Sequence, residues 1–165
     1  MYSKFKKHLL NILSKFLIVL FWGMCIVVFM GVIFRFIKKP LVWAEEYALI
    51  SMVWLTFIGA GIVYEYNSHL AVDLLLVVLP KKSSKVIELI TDIIVFPFFV
   101  ALIIGGAIMV NITKNSITPA LNISVAFQYL PALVGGLIML MFNVEKIITK
   151  IKGLRRENCV EGRIN

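Results

Sequence analysis

The chain has 165 residues, of which 61% are hydrophobic and 16% are charged, and its mean hydropathy is +0.96. A soluble domain is closer to half apolar and a quarter charged, so this composition excludes an ordinary soluble protein. The formal net charge of +8 does not indicate a nucleic-acid partner, because most Lys and Arg residues flank apolar blocks, where they contact lipid headgroups. Cys25 and Cys159 lie in an apolar block and in a polar tail, and they indicate no disulfide framework.

Four apolar blocks are long enough, or nearly so, for a helix to cross a bilayer, which takes about 20 residues. We therefore predict an all-α integral membrane protein that forms a single four-helix domain over residues 1–165. The predicted spans lie at about 9–34, 47–64, 86–111 and 123–144. The first span resembles a signal peptide in following several Lys residues, but it is too long and lacks a cleavage site, so we predict that it is retained.

Two segments between the spans are predicted to lie at the membrane surface. Trp43 follows Pro40, and Trp prefers the headgroup boundary, which indicates a short interfacial segment before span two. Residues 70–80 are apolar but too short to cross, and they contain Asp73, so we predict an interfacial helix after span two. Residues 145–165 are predicted to form a basic tail on the cytoplasmic side.

Small residues within the spans predict close contact with neighbouring helices, because they let two backbones approach. They occur as Gly59 beside Gly61 in span two, as Ala101 and Gly105 four residues apart in span three, and as the pair Gly135 and Gly136 in span four.

The basic residues predict the orientation of the chain. Four spans place both termini on one side, and 13 of the 17 Lys and Arg residues fall on that side. Cytoplasmic loops carry the excess of Lys and Arg, so both termini are predicted to be cytoplasmic.

Arg35 closes span one, and Glu45 and Glu46 open span two, so the topology places them at the same membrane depth. Charges near hydrocarbon are costly and usually have a partner. Two interpretations remain open for this group: an interfacial salt bridge within the chain, or a contact with a partner subunit or an extracytoplasmic protein.

Glu88 and Asp92 lie four residues apart in the first turns of span three, on one helix face. A buried carboxylate would suit ion coupling, but both residues lie near Lys85 at the predicted cytoplasmic boundary. We therefore interpret them as solvated charges at a helix end.

Catalytic chemistry is not indicated. His8 and His69 are far apart in sequence, no nucleophile motif or phosphate-binding glycine loop occurs, and no cluster has metal-ligand spacing. We expect no enzyme activity, no cofactor and no metal site.

Three motifs in order resemble the small membrane subunit of tripartite ATP-independent periplasmic (TRAP) transporters, the DctQ-like family. They are W-A-E-E at 43–46, W-L-T-F-I-G-A at 54–60 and H-L-A-V-D at 69–73. Residues 65–68, Glu-Tyr-Asn-Ser, depart from the family, which often has a basic residue shortly before the His. The residues assigned by this resemblance to a subunit interface or to structural charges are Arg35, Trp43, Glu45, Glu46, Trp54, Gly59, His69 and Asp73.

The resemblance implies a role without catalysis in the bacterial inner membrane. The chain would be a scaffold that packs against a large multi-span subunit carrying substrate and sodium, while a periplasmic binding protein delivers an organic acid. The expected solute is sialic acid, or otherwise a C4-dicarboxylate, and no residue here distinguishes them.

Two alternatives use the same architecture. One is the small four-span subunit of a tripartite tricarboxylate transporter, and the other is a self-sufficient carrier of the multidrug type. The motifs at 43–46 and 69–73 favour the TRAP type over the first alternative. The second would need an acid in span one, and span one has none.

Overall fold

The computed structural model describes the backbone of residues 2–66 and 81–161, and the side chains of residues 6–66 and 89–152. The interfacial helix predicted at 70–80, with His69 and Asp73, lies outside the described residues, as does the side chain of Glu88.

Four helices form the described part of the chain: α1 (Tyr2–Phe36), α2 (Val42–Tyr66), α3 (Lys81–Thr113) and α4 (Ala126–Glu161). Each contains a segment long and apolar enough to cross a membrane. The all-α, four-span prediction is confirmed. The described residues include no strand, only an isolated bridge between Ile117 and Ser124 in the loop before α4.

The helices are arranged as an open row in the order α1, α2, α4, α3. Backbone contacts among the described helices join α1 to α2, α2 to α4, and α4 to α3. Helix α4 is therefore central although it is last in the sequence, and α1 and α3 are the outer helices.

Glycines on α4 set the distances within the row. A Cβ on Gly135 would lie 2.8 Å from the carbonyl oxygen of Phe57 in α2, and a Cβ on Gly136 would lie 3.0 Å from the side chain of Ile103 in α3. Two adjacent glycines thus face opposite neighbours, and each lets one helix approach closely. The prediction of close packing at this pair is confirmed.

The small pair in α3 does not face another helix in the described part of this chain. Gly105 and Ala101 are both exposed, and a Cβ on Gly105 would meet nothing within 4 Å. The contact with α4 is made instead by Gly106, where a Cβ would lie 3.1 Å from the backbone nitrogen of Leu133. Adjacent residues differ by about 100° around a helix, so Gly105 is turned away from α4 when Gly106 faces it.

The turn between α1 and α2 is a defined helix cap. Lys39 N–H donates to the Phe34 carbonyl and Lys38 N–H to the Arg35 carbonyl, which is the Schellman pattern. Lys38 occupies the left-handed position of this cap with φ 59°, where glycine is the usual residue. Trp43 lies in the first turn of α2, so the segment predicted to lie at the membrane surface is continuous with the helix of span two.

Candidate subunit interface and charged helix ends

The antiparallel helices bring charged residues together at two ends. We call the end containing residues 35–46 and 114–125 the Arg35 end. The opposite end, containing Lys6, residues 64–65, Asp92 and residues 143–150, is called the Lys6 end.

At the Arg35 end, Arg35 pairs with only one of the two adjacent acids. Its Nη2 lies 2.8 Å from Oε1 of Glu45, and the two side chains are 75% and 71% exposed. The pairing follows from the short turn, which places the last turn of α1 beside the first turn of α2. An ion pair this exposed adds little stability by itself. Because both side chains are exposed, they are accessible to other molecules.

Glu46 has a different partner, the backbone of the loop between α3 and α4. Its Oε1 accepts from Ala120 N–H at 3.0 Å and its Oε2 accepts from Leu121 N–H at 2.8 Å. Each carboxylate oxygen therefore satisfies one loop amide, and charge-assisted bonds of this kind are stronger than neutral ones. Glu46 fixes the loop to α2.

The same loop is held by its own hydrogen bonds. Val125 N–H donates to the Ser116 carbonyl and Thr118 N–H to the Ile123 carbonyl, each at 2.9 Å. Asn122 adopts φ 53°, a left-handed conformation that Asn tolerates better than most residues. The loop is thus an ordered surface at the Arg35 end.

Trp54 joins α1, α2 and α4 below this loop. Its Nε1–H donates to the Phe127 carbonyl at 3.3 Å, and its ring lies 5.3 Å from that of Phe127 and 6.1 Å from that of Phe16. Pro131 explains why that carbonyl is available, because proline at position i has no N–H to donate to the carbonyl at i−4. The Trp54 indole satisfies the acceptor that Pro131 leaves open.

Gly59 and Trp43 complete the predicted residues that the structure describes. Gly59 faces α1, where a Cβ would lie 3.8 Å from Leu17. Trp43 is 37% exposed at the start of α2. The predicted set is therefore divided: Arg35, Trp43 and Glu45 lie on the surface, whereas Glu46, Trp54 and Gly59 make contacts within the chain.

The Lys6 end contains a polar network that the sequence did not predict. Lys6 Nζ of α1 lies 2.6 Å from Glu65 Oε1 of α2 and 2.7 Å from Glu145 Oε2 of α4. Lys146 of α4 donates to the Tyr64 carbonyl and lies 3.7 Å from the centre of the Tyr64 ring. Three helices are linked by these contacts.

Asp92 brings α3 into the network. Its Oδ2 lies 2.6 Å from Lys150 Nζ, and its Oδ1 accepts from the Tyr64 hydroxyl at 3.3 Å. Asp92 is only 8% exposed. The interpretation of Asp92 as a solvated charge is wrong, because the long helix α4 continues past the apolar span and covers this carboxylate.

Asn143 lies at the centre of the network and is fully buried. Its amide nitrogen donates to the Tyr64 hydroxyl at 2.7 Å and to the Asp92 carbonyl at 3.1 Å. Its amide oxygen has no hydrogen-bond partner among the described residues. Polar groups buried in this way usually serve to fix helix positions, since moving them breaks several bonds.

A signal for this network was present in the sequence. Asn143, Lys146 and Lys150 are spaced by three and four residues, which places them on one face of α4. Their partners could not be identified from one sequence, because the nearest, Asp92, is 51 residues away from Asn143. In the described part of the chain, no three His, Cys, Asp or Glu residues are grouped closely enough to hold a metal ion.

The outer helices present wide apolar faces. None of the most hydrophobic 18-residue window of α1 is buried, and 11% of that of α3 is buried. On α1 the exposed side chains include Val19, Trp22 and Phe29, and on α3 they include Ile94 and Phe98. Lipid or another membrane protein can cover such faces.

The chain resembles known proteins over most of its length. Residues 24–153 match the family described as Tripartite ATP-independent periplasmic transporters, DctQ component. A Haemophilus influenzae protein named as a TRAP transporter small permease protein is 24% identical over 129 residues, which are 78% of this chain and 80% of that protein. A second protein of that organism with the same name is 26% identical over 124 residues, or 73% of this chain and 75% of that protein.

A third relative comes from Vibrio cholerae and is named the C4-dicarboxylate TRAP transporter small permease protein DctQ. It is 28% identical over 96 residues, which are 57% of this chain and 41% of that protein. These matches favour the TRAP interpretation over a tricarboxylate-type subunit or a self-sufficient carrier. The chain belongs to the DctQ family and is a multi-pass small permease subunit of a TRAP transporter.

Proposed function

We propose that this subunit is a scaffold without catalytic activity in a sodium-coupled, binding-protein-dependent importer of an organic acid in the bacterial inner membrane. Its partners are a large multi-span subunit, which carries substrate and sodium, and a periplasmic binding protein. Both termini face the cytoplasm, so the Arg35 end faces the periplasm.

The observation that carries the scaffold role is the open row of helices. The polar contacts at the Lys6 end link the helices to one another, and Asp92 is paired with Lys150 at 2.6 Å. A carrier that works alone is expected to have ionisable groups or broken helices near the middle of the membrane. All four helices here are continuous, which suits a packing partner better than a transport path.

The exposed face of α3 is the surface that we assign to the large subunit. Gly105 and Ala101 form a shallow notch on this face, with open space around the Gly105 backbone. Notches of small residues let a second helix approach closely. The accessible residues Arg35, Trp43 and Glu45 lie at the other candidate surface, at the Arg35 end, where the binding protein would dock.

Reconstitution tests the proposed function. The purified chain, the large subunit and the binding protein are placed in proteoliposomes together and with each one omitted, and uptake of labelled sialic acid and C4-dicarboxylates is measured. We expect uptake only with all three proteins and an inward sodium gradient. Uptake by the chain alone, or full uptake without it, would contradict the scaffold role.

The α3 surface has its own test. Gly105→Leu should lower recovery of the large subunit in co-purification while leaving the thermal midpoint of the isolated chain unchanged or slightly raised, since the added side chain meets open space within the chain and favours the helix. Val19→Leu, at a 72% exposed position of α1, is the matched control. Equal recovery with both variants would remove α3 from the interface.

Solute identity is tested on the binding protein. We expect sialic acid to raise its thermal midpoint more than C4-dicarboxylates do. The opposite order would assign C4-dicarboxylates as the solute and leave the scaffold proposal intact.

A further inference from the structure

A groove lies between α1 and α2 just below the Arg35–Glu45 ion pair. It has a volume of 370 Å³, within the range of about 300–1,000 Å³ found for small-molecule sites. Most of its wall is apolar and small, because glycine and alanine occupy the facing positions of the two helices. The wall residues nearest the membrane interior are Val28, Gly31, Val32, Ala44 and Ala48.

The chain segment at the mouth of this groove is basic. Arg35 and Pro40 line the groove, and Lys38 and Lys39 lie between them in the sequence. The segment therefore has three cations, against the single carboxylate of Glu45 in the lining. The Arg35 guanidinium has five N–H donors and donates one hydrogen bond to Glu45, so donors remain for another anion. Neither lysine has a carboxylate partner among the described residues, and both are exposed.

The cap of α1 holds these lysines in place. The Schellman hydrogen bonds fix the backbone of Lys38 and Lys39 directly before Pro40, which lines the groove. Lys38 adopts φ 59°, a conformation that glycine would adopt without strain. A lysine at this strained position is consistent with a use for its charge.

We propose that this groove binds one anionic phospholipid, with its phosphate on Arg35, Lys38 and Lys39 and one acyl chain between α1 and α2. An amphiphile with a negative head and an apolar chain matches a groove that is basic at the interface and apolar below it. Arg and Lys side chains bind phosphate groups through charge-assisted hydrogen bonds. A partner helix would fill the apolar part but would leave the lysines without an anion.

Native mass spectrometry of the purified transporter complex tests this proposal. The complex is mixed with phosphatidylglycerol and phosphatidylcholine of identical acyl chains, and the bound lipids are counted. We expect phosphatidylglycerol to be retained preferentially. Lys38→Gly with Lys39→Ala, which preserves the cap, should weaken phosphatidylglycerol binding about 25-fold, at roughly fivefold per cation.

Two further variants separate the contribution of the lysine charges to lipid binding from that of the apolar groove. Lys114→Ala removes an exposed cation at the same end but outside the groove, and it should leave lipid binding unchanged. Val28→Trp fills the apolar part at a 44% exposed position, so it should reduce binding while the chain still folds.

Several results would overturn the proposal. They are equal retention of the two lipids, equal losses with Lys114→Ala and the double variant, and displacement of the lipid by inorganic phosphate, which would indicate a site for free anions. Lipid bound to the isolated chain but absent from the complex would assign the groove to the large subunit. None of these measurements uses transport, so failure here is distinct from failure of the proposed function.

Discussion

Two adjacent carboxylates of this chain have separate partners. Glu45 pairs with Arg35 on the surface. Glu46 instead accepts hydrogen bonds from the backbone N–H groups of Ala120 and Leu121, which are 74 and 75 positions further along the chain. The first pairing was predictable, because a short turn brings helix ends together. The second was not, because a single sequence does not show which backbone amides of a distant loop lie near an acid.

The first prediction compares these acids. Glu46→Gln should lower the thermal midpoint in detergent and speed hydrogen exchange at the Ala120 and Leu121 amides, because an uncharged amide offers one acceptor oxygen in place of two. Glu45→Gln should leave both unchanged, since exposed ion pairs contribute little. Equal effects of the two changes would show that Glu46 does not hold the loop.

Trp54 allows a second prediction. Trp54→Phe keeps an aromatic ring but removes the donor to the Phe127 carbonyl, and we expect a loss of about 1 kcal/mol in the free energy of unfolding. In a Pro131→Ala background the loss should shrink, because the new N–H at position 131 can donate to the same carbonyl. A double-mutant cycle measures the difference, and strict additivity would contradict this role for the indole.

At the scale of the element, packing depends on which glycine faces a neighbour. The positions of the helices followed from hydropathy, but the choice between Gly105 and Gly106 did not. Both glycines precede an apolar stretch, and nothing in the sequence shows which face of α3 packs against α4. The contact of Gly106 with α4 therefore could not be predicted. The close packing at Gly135 and Gly136 could be, because α4 has a neighbouring helix on each side.

The third prediction uses this contrast. Gly135→Ala should destabilise the fold by about 1–3 kcal/mol, because the added methyl group overlaps the Phe57 backbone and must push α2 away from α4. Gly105→Ala should be neutral or stabilise by up to about 1 kcal/mol through helix propensity. Denaturant unfolding in detergent measures both, and a neutral Gly135→Ala would mean that the helices are not in close contact there.

For the whole molecule, the order of the row and the network at the Lys6 end were not predictable. Hydropathy identifies spans but contains no information on which spans are neighbours. In the row, α2 contacts α4, and α3 lies on the far side of α4. From the sequence alone, the charged residues at this end could equally be solvated charges at helix ends or members of a buried network. Only the packing of α4 against Asp92 distinguishes a buried network from a set of surface charges.

The fourth prediction addresses this network. Asp92→Ala should cost about 2–4 kcal/mol, because the ion pair between Asp92 and Lys150 is lost and the Tyr64 hydroxyl loses an acceptor. Combining Asp92→Leu with Lys150→Leu should recover part of that loss, since a buried pair can be replaced by apolar residues. Unfolding free energies compare these variants.

Uptake by the assembled transporter separates the structural role of Asp92 from ion coupling. If Asp92 is structural, Asp92→Asn should retain the sodium dependence of uptake even where the yield of folded protein falls. Loss of sodium dependence with normal folding would assign Asp92 to coupling.

The order of the row also constrains how the chain is assembled during synthesis. Helices α1 and α2 form one hairpin and α3 and α4 another, and each hairpin can form as soon as its second helix enters the membrane. The contacts between the hairpins, Trp54 with Phe127 and Phe57 with Gly135, wait for the last helix. Lys6 of α1 meets Glu145 of α4 only after the 139 positions that separate them have been made. The first turns of α1 therefore wait for α4 before they reach their final contacts.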